Sequence, residues 1–352
     1  RYTKDFHQVM AMFNTLPPSI EPSATGHILE QIEMVELLIE KGLAYEVNGS
    51  VYFDVNAYQK DHDYGKLSGR KIEDLLANTR ALDGQEEKRD SIDFAVWKKA
   101  APEHIMRWNS PWGEGFPGWH LECTVMGKKY LGQTFDIHGG GMDLKFPHHE
   151  CELAQSVAAY GEDPVKYWIH TNMLTVNGQK MSKSLGNSFL PDELFTGNHE
   201  LLDKPYSPMT SKFFMLQSHY SSTLDFSSSA LSASEKGFDK LMKALETLKE
   251  LKSSDSSSVD ATALREKCFT SMNDDFNTPI LIAHLFDGVK MINSIDAGKE
   301  TIDEVNLKLL TETMNGFVTE VLGLKSVDKD SGSDGLTDEL MNLVIKLRNQ
   351  AK

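Results

Sequence analysis

The sequence predicts an α/β chain that becomes almost entirely helical in its second half. Residues 134–137 and 165–171 have the composition of β-strands. The segment between them is expected to contain a helix that begins at Pro147 and ends at Gly161. After residue 188, apolar residues recur with a period near 3.6, which is typical of helices. Together these patterns indicate two or three domains in a chain of 352 residues.

The composition matches that of an ordinary soluble globular protein, with 40% hydrophobic and 25% charged residues. No apolar run approaches the roughly 18 residues of a membrane span, so no membrane interaction is expected. The three cysteines are too few and too scattered for a disulfide framework, which favours a cytoplasmic location. The net charge of −16 gives no indication of nucleic-acid binding, although a local basic patch could still hold a phosphate backbone.

Turn and cap residues define the elements expected before residue 130. Asn48-Gly49 between two apolar segments is a strong hairpin signal. The polar segment 56–95 predicts a small, partly stranded insertion. The other expected elements are a helix that ends before Pro17-Pro18, a helix from about Thr25 to about Glu40, a helix near 71–78, and a helix that starts at Trp119.

The stretch 136–152 combines a strand end, a glycine loop at Gly139–Gly141 and a helix that begins at Pro147. His148 and Glu152 are four residues apart and therefore share one helical face. An imidazole and a carboxylate at this spacing are plausible zinc ligands. The alternative is a solvated helix start, where the helix dipole favours an acidic residue. Spacing alone leaves both interpretations open.

A second candidate segment lies between the expected turn at Asn177-Gly178 and Gly186. Its lysines alternate with serines, which predicts a mobile cationic loop that could bind phosphate. A generic loop of this composition is only solvated. Beyond it, helices are expected near 191–196, 208–219, 228–252, 260–272, 278–294, 301–322 and 336–351, with links at 253–258 and 326–335.

The lysine loop, Lys180–Ser184 (KMSKS), resembles the second signature of class I aminoacyl-tRNA synthetases. Other segments, in order along nearly the whole chain, resemble cysteinyl-tRNA synthetases. They include residues 110–113 (SPWG), 117–123 (PGWHLEC), 135–141 (FDIHGGG), 146–152 (FPHHECE), 180–187 (KMSKSLGN) and 273–279 (NDDFNTP). Each motif alone is a weak signal, whereas the set is specific.

The resemblance implies a Rossmann-type parallel-sheet core with an incomplete first half, an inserted connective α+β subdomain and an all-helical bundle. The implied domains are the end of the first Rossmann half at 1–27, the connective insertion at 28–110, the second Rossmann half at 111–188, a stem-contact region at 189–252 and a tRNA-binding bundle at 253–352.

The implied function is cysteine–tRNA ligase activity. Cysteine reacts with ATP, with Mg²⁺ present, to give cysteinyl-adenylate, and the cysteinyl group then passes to tRNA(Cys). One zinc ion per subunit is expected to select the substrate thiolate. The resemblance also implies a cytoplasmic enzyme that is a monomer and makes no membrane contact.

The resemblance assigns roles to individual residues. The metal ligands are expected to be Cys123, His148 and Glu152, and the cysteine-binding residues Trp119 and His138. The ATP-binding residues are expected to be Gly139, Gly140, Gly141, Asp143, Lys180 and Lys183, of which the two lysines are also expected to be catalytic. Cys151 stands where the family usually has an amide residue and is expected to be incidental, with a substitute ligand as the alternative, and His149 and Glu150 are expected on the helix surface or in contact with the ligands.

The sequence departs from the family pattern at several places. The first class I signature, a His-x-Gly-His tetrapeptide, and a further zinc-binding cysteine are absent, and both are expected upstream of Arg1. A C-terminal piece is also expected to be missing, and Lys212 and Ser221 stand where arginine is expected. Weak or absent adenylation activity is therefore expected of this polypeptide. Two alternatives stay open, a cysteine ligase with an amino-sugar acceptor and a non-catalytic zinc- or RNA-binding relative.

Overall fold

The computed structural model describes residues 1–71 and 87–326. The helix predicted near 71–78 and the segments predicted at 326–335 and 336–351 lie outside these residues, apart from Lys71 and Ser326. The chain forms two compact units. The sheet unit is Pro18–Met173, and the helical unit combines Arg1–Pro17 with the chain from Leu174 onward.

The elements follow in chain order. The first helix, α1 (Tyr2–Met12), belongs to the helical unit. The described part of the sheet unit contains α2 (Ile28–Glu40), β1 (Ala44–Val47), β2 (Ser50–Phe53), α3 (Val55–Tyr58), β3 (Phe94–Lys99), β4 (Gly115–Pro117), α4 (Leu121–Leu131), β5 (Phe135–Gly141), α5 (Glu150–Tyr160) and β6 (Val165–Thr171). The helical unit continues with β7 (Leu174–Val176), β8 (Gln179–Lys180), α6 (Pro191–Thr196), α7 (Pro208–Leu216), β9 (Leu224–Phe226), α8 (Ser228–Glu250), α9 (Ala261–Asn273), α10 (Thr278–Asp296) and α11 (Glu304–Asn315).

An antiparallel sheet with the strand order β1-β2-β3-β4 forms the first part of the sheet unit. The hairpin predicted at Asn48-Gly49 is confirmed, because both residues have positive φ, 54° and 86°, as the tightest hairpin turns require. Val51, Phe53 and Trp97 are fully buried on this sheet and pack with α2. The expected helix that ends at Glu40 is also confirmed.

A strand–helix–strand unit forms the second part. Strands β5 and β6 pair in parallel over their full length, from Phe135 opposite Val165 to Gly141 opposite Thr171. Helix α5 lies between them in sequence and ends at Gly161, whose left-handed conformation (φ 79°) closes the helix as predicted. The parallel pair places the carboxyl ends of both strands at one edge, where ligands bind in open α/β sheets.

The prediction of a glycine loop at Gly139–Gly141 is wrong. These glycines continue β5 and pair with Ile169–Thr171 of β6. Glycine weakens a strand through its entropy, so local preference favours a loop, but the ladder of main-chain hydrogen bonds overrides that preference here. Gly140 is also needed for space, since a Cβ atom there would lie 2.7 Å from Cε1 of His149.

The helices predicted after residue 188 are confirmed within the described part of the chain, with ends shifted by a few residues. The helix expected at 301–322 is divided into α11 and a wider turn, Gly316–Val321. Fully buried Phe213, Leu241, Leu281 and Leu310 join α7, α8, α10 and α11 in one core. Among residues 1–71 and 87–326, every helix is too short or too polar to cross a membrane.

Candidate metal centre and lysine loop

Three predicted metal ligands meet in the sheet unit. Cys123 lies near the start of α4, His148 in the short π-helical segment Lys145–His149, and Glu152 in the first turn of α5. One ligand atom from each lies within 4.8 Å of the other two. Nε2 of His148 lies 3.0 Å from Oε1 of Glu152, as the spacing of four residues predicts.

Burial and neighbouring charges shift the pKa values of Cys123 and Glu152. Burial, together with the nearby carboxylates of Glu152 and Glu122, raises the pKa of the Cys123 thiol to about 12. Burial also opposes ionisation of Glu152, but the adjacent imidazoles of His138 and His148 outweigh it and lower its pKa to about 2. Glu152 is therefore an anion, whereas Cys123 needs a nearby cation to become a thiolate.

The donor set fits a zinc ion. Zinc is typically bound by cysteine sulfur, imidazole nitrogen and carboxylate oxygen. Nδ1 of His148 and Oε1 of Glu152 are buried without a hydrogen-bond partner of good geometry. Buried polar atoms without partners are rare and call for a specific explanation, such as a bound ion. A cation bound to Oε1 of Glu152 would satisfy that atom and would favour the Cys123 thiolate.

A second group of side chains shares Glu152. Nε2 of His138 lies 3.4 Å from Oε2 of Glu152, and Nε2 of His149 lies 3.9 Å from Oε1. Nδ1 of His149 in turn lies 2.8 Å from Nε2 of His170 on β6. Burial lowers the pKa of His149 to about 4, so its ring is neutral near pH 7. This second group contains no thiol. Its two histidines lie next to the Glu152 carboxylate, which both groups share.

The predicted cysteine-binding residues lie beside the metal-ligand group. The Trp119 ring is 67% exposed, and its centroid lies 4.6 Å from that of His148. The His138 ring packs edge-on against Trp168, with 4.9 Å between the centroids. The exposed side chain of Trp119 and the partly buried imidazole of His138 therefore both lie next to the metal-ligand group.

The structure decides between the alternatives for three residues near the ligands. Cys151 is buried against the hydroxyl of Tyr64, 3.6 Å away, and is not among the grouped ligand atoms, so it is not a substitute ligand. His149 and Glu150 are each only 1% exposed and therefore do not lie on the helix surface, and His149 contacts the ligand Glu152 instead. The carboxylate of Glu150 accepts the backbone N–H groups of Gly65, Leu67 and Ser68, at 3.1, 3.3 and 2.7 Å.

Sequence reasoning also missed His170 and Trp168. They are two residues apart on β6 and so lie on the same face of the sheet. Their position near the carboxyl end of a parallel strand was the available signal. The register that brings His170 to His149 was not available from the sequence.

The expected ATP-binding residues of the sheet unit lie at the end of β5. Because Gly139, Gly140 and Gly141 have no side chains, a ligand can approach the backbone closely at this edge. The exposed carboxylate of Asp143 lies so close to Gly141 that a Cβ atom there would collide with it. This arrangement offers main-chain groups and one carboxylate to a ligand.

The lysine loop belongs to the helical unit. Lys180 ends β8 and Lys183 begins a short 3₁₀ turn, Lys183–Leu185, and both side chains are exposed. Asn187 is buried and closes the loop: its Oδ1 accepts the N–H of Ser182 at 2.8 Å, and its Nδ2 donates to the carbonyl of Lys180 at 3.0 Å. The backbone is held while the two ammonium groups extend into solvent.

Comparison with known proteins agrees with this geometry. Residues 1–236 match the family described as tRNA synthetases class I (C) catalytic domain, and residues 269–326 match the DALR domain. The structure is similar to that of methionyl-tRNA synthetase from Mycobacterium tuberculosis, with a TM-score of 0.55 and 13% identity over 88% of this chain and 74% of that chain. At this identity the likeness concerns the fold alone. It confirms the expected class I Rossmann-type core followed by a helical domain.

Two curated relatives are similar over the whole chain. The cysteine–tRNA ligase of Bacteroides fragilis is 57% identical over 352 residues, which cover 100% of this chain and 72% of that protein. That of Parabacteroides distasonis is 58% identical with the same coverage. These relatives favour the tRNA enzyme over a ligase with an amino-sugar acceptor. The chain therefore belongs to the cysteine–tRNA ligase family of class I aminoacyl-tRNA synthetases.

Proposed function

We propose that Cys123, His148 and Glu152 hold one zinc ion per chain, and that the ion selects cysteine for a cysteine–tRNA ligase reaction. The observation that carries this proposal is the convergence of a thiol, an imidazole and a carboxylate within 4.8 Å. Magnesium and calcium take oxygen ligands, so this mixed donor set favours zinc. Bound zinc would supply a soft Lewis acid that prefers a thiolate to a hydroxyl group.

Selection of cysteine against serine and alanine is the chemical difficulty of this reaction. A pocket that relies on shape and apolarity separates side chains of similar size by only about a hundredfold. Trp119 would form an apolar wall for the substrate side chain, because its exposed ring lies beside His148. His138 would make a polar contact to the charged end of cysteine while holding Glu152 in place.

The surroundings of Glu152 support a role as a ligand. His138 and His149 approach its two oxygens and fix the orientation of the carboxylate. His170 fixes His149 in turn. Residues that orient ligands in this way commonly change metal affinity by about 10- to 100-fold when they are mutated.

ATP would be held by two groups of residues. Gly139, Gly140 and Gly141 would bring the backbone close to the nucleotide, and Asp143 would accept hydrogen bonds from the ribose. Lys180 and Lys183, together with Mg²⁺, would neutralise the charge that develops on the phosphates during attack by the cysteine carboxylate. Because this charge is greatest in the transition state, the lysines should affect the rate more than ATP binding.

The family acts on tRNA, cysteine and ATP, and we propose that this chain transfers the cysteinyl group to tRNA(Cys). The helices after α7 would contact the tRNA. We further propose that the protein acts as a monomer in the cytoplasm. A sedimentation experiment tests the monomer directly, and a dimer at micromolar concentration would contradict it.

The zinc site can be tested with cobalt, which gives a sulfur-to-metal charge-transfer absorption when a thiolate binds it. We expect this absorption when Co²⁺ is added to the metal-free protein, and a further increase when cysteine is added. Serine should give no increase. Equal responses to cysteine and serine would contradict thiolate selection.

The cysteines provide a matched control for this experiment. Cys123→Ser should remove the absorption of the protein with Co²⁺ alone. Cys151→Ser should leave it unchanged, because Cys151 is buried against Tyr64, away from the three ligand atoms. If only the Cys151 variant lost the absorption, Cys151 and not Cys123 would bind the metal, and the proposal would be wrong.

A further inference from the structure

A cavity inside the helical unit has no role in the proposed catalytic site. Its volume is about 390 Å³, which lies within the range of small-molecule pockets. Residues from the end of α1, the β7–β8 hairpin, α6, α7 and β9 line it, and we call it the α1–α7 cavity. Nine of its eleven lining residues are apolar, so most of its surface suits an apolar ligand.

The walls of the α1–α7 cavity combine fixed and adaptable side chains. Leu194 and Phe226 are buried and belong to the hydrophobic core beneath the lysine loop. Met10, Met181 and Met215 also line the cavity and are only partly buried. Methionine side chains are flexible and polarizable, so they adapt to ligands of different shape. The cavity therefore has a rigid base and a rim that can close around a chain.

Lys212 is the only charged residue among those that line the cavity in the described part of the chain. Its Nζ lies 3.4 Å from the carbonyl oxygen of Asn14 and 3.3 Å from that of Gly323. An ammonium group has three donors, so one remains after these two contacts. The hydroxyl of Thr15, the other polar lining group, already donates to the carbonyl of Met10 at 2.8 Å.

The charges around Lys212 favour an anionic ligand. Burial and the nearby ammonium of Lys325 lower the pKa of Lys212, so both disfavour its positive charge and an anion would offset them. Two carboxylates lie close in sequence to the α6 residues of the cavity. Glu193 accepts the N–H of Leu190 at 2.6 Å, and Asp192 is exposed and does not line the cavity.

We propose that the α1–α7 cavity binds a small aliphatic carboxylate, and that an occupied cavity holds the lysine loop in place. The chain would fill the apolar interior, and the carboxylate would accept a hydrogen bond from Lys212. Met181 is part of the lysine loop, and Phe189 follows Asn187 by two residues. A ligand that contacts both favours the loop position in which these contacts exist. Zinc, ATP and tRNA take no part, so this proposal is independent of the proposed function.

The test measures binding of three eight-carbon probes by isothermal titration calorimetry. Octanoate should bind on the order of tenfold more tightly than 1-octanol, because hydrogen bonds between charged groups are stronger than neutral ones. Octylammonium should bind most weakly. Lys212→Met keeps an apolar side chain and should remove the preference for octanoate. Lys308→Met is the matched control, because Lys308 is exposed and does not line the cavity.

A further variant tests the location without changing any charge. Leu174→Trp adds bulk at an exposed position on the cavity rim and should weaken binding of all three probes. Tryptophan is well tolerated in strands, and circular dichroism checks the fold of each variant. Unchanged affinity in the Leu174 variant would place the probes elsewhere and overturn the proposal. Equal affinities of the unmodified chain for octanoate and 1-octanol would also overturn it.

Hydrogen exchange tests the effect on the lysine loop. The N–H of Ser182 donates to Oδ1 of Asn187 and reports whether the loop is closed. Saturating octanoate should slow exchange of this amide several times in the unmodified chain, and it should have no such effect in the Leu174 variant. Binding of octanoate without slower exchange at Ser182 would contradict the proposed hold on the loop.

Discussion

The metal-ligand group and the lysine loop are built in opposite ways. In the metal-ligand group, His148 and Glu152 are buried and Cys123 is partly buried, and the three side chains converge from two helices and the segment between β5 and α5. In the lysine loop the backbone is held by Asn187, while both ammonium groups remain in solvent. Desolvated side chains with fixed positions suit selection of a substrate atom, since interactions strengthen at low dielectric. Exposed lysines on a held backbone suit contacts made as phosphate charge develops.

The largest effect is expected from a variant that changes only the metal-ligand group. Glu152→Gln replaces an anionic ligand by a neutral amide and should lower zinc affinity by more than about a hundredfold, beyond the range known for residues that only orient ligands. Glu150→Gln is the matched control, because Glu150 is equally buried two residues away but is absent from the ligand group. Zinc competition with a chelating dye measures both variants. Similar affinities for the two variants would contradict the assignment of Glu152.

The second prediction tests the role of the lysine loop independently of the metal site. Although the adenylation activity of this polypeptide is expected to be weak, Lys183→Gln should lower its maximal rate of cysteine-dependent ATP–pyrophosphate exchange by about another hundredfold, measured at high enzyme concentration, as loss of one transition-state contact commonly does. The ATP concentration at half-maximal rate should change much less. Zinc content should stay the same. A rise in that ATP concentration with an unchanged maximal rate would show that Lys183 acts in ground-state binding instead.

A smaller effect is expected where β5 packs against the histidines. Gly140→Ala would place a Cβ atom 2.7 Å from Cε1 of His149 and 3.0 Å from Cδ1 of Leu144. Such overpacking should lower the free energy of unfolding by about 1–3 kcal/mol. Gly139→Ala is the control, since its nearest neighbour is the carbonyl oxygen of Ile169 at 3.8 Å. Urea denaturation of both variants checks the difference, and equal midpoints would refute it.

The smallest effect is local to the lysine loop. Asn187→Ala removes the hydrogen bonds to Ser182 and Lys180, which should cost about 1 kcal/mol, with little change in the rest of the helical unit. The Ser182 amide should then exchange with solvent several times faster in hydrogen-exchange measurements. Asn198→Ala, at an exposed position, should leave this exchange unchanged. Unchanged exchange in the Asn187 variant would mean that the loop is held by other contacts.

Local rules predicted the parts of this molecule that local chemistry decides. The turn at Asn48-Gly49 and the shared face of His148 and Glu152 follow from backbone preference and helix period. Cys123 was identified only through family resemblance, because it reaches the other ligands from a separate helix. Contacts between distant segments depend on how the chain packs, and short patterns in a single sequence do not reveal that packing.

The errors have the same origin. Gly139–Gly141 was assigned to a loop because the pairing partner that makes it a strand lies 30 residues further along, at Ile169–Thr171. The sequence leaves Glu150 open between the helix surface and contact with the ligands, because the loop that buries its carboxylate lies 82 to 85 residues earlier in the chain. Both depend on partners that follow from the fold and not from neighbours in the sequence.

The contacts of Glu150 tie the segment Gly65–Ser68 to the metal-ligand region. Three backbone N–H groups at Gly65–Ser68 end on this buried carboxylate, two residues from both His148 and Glu152. Deletion of the segment would leave an anion buried without its donors, which commonly costs several kcal/mol. The segment Gly65–Ser68 therefore cannot be removed or exchanged independently of Glu150. Any shortened or chimeric version must keep this loop, or replace Glu150 together with it.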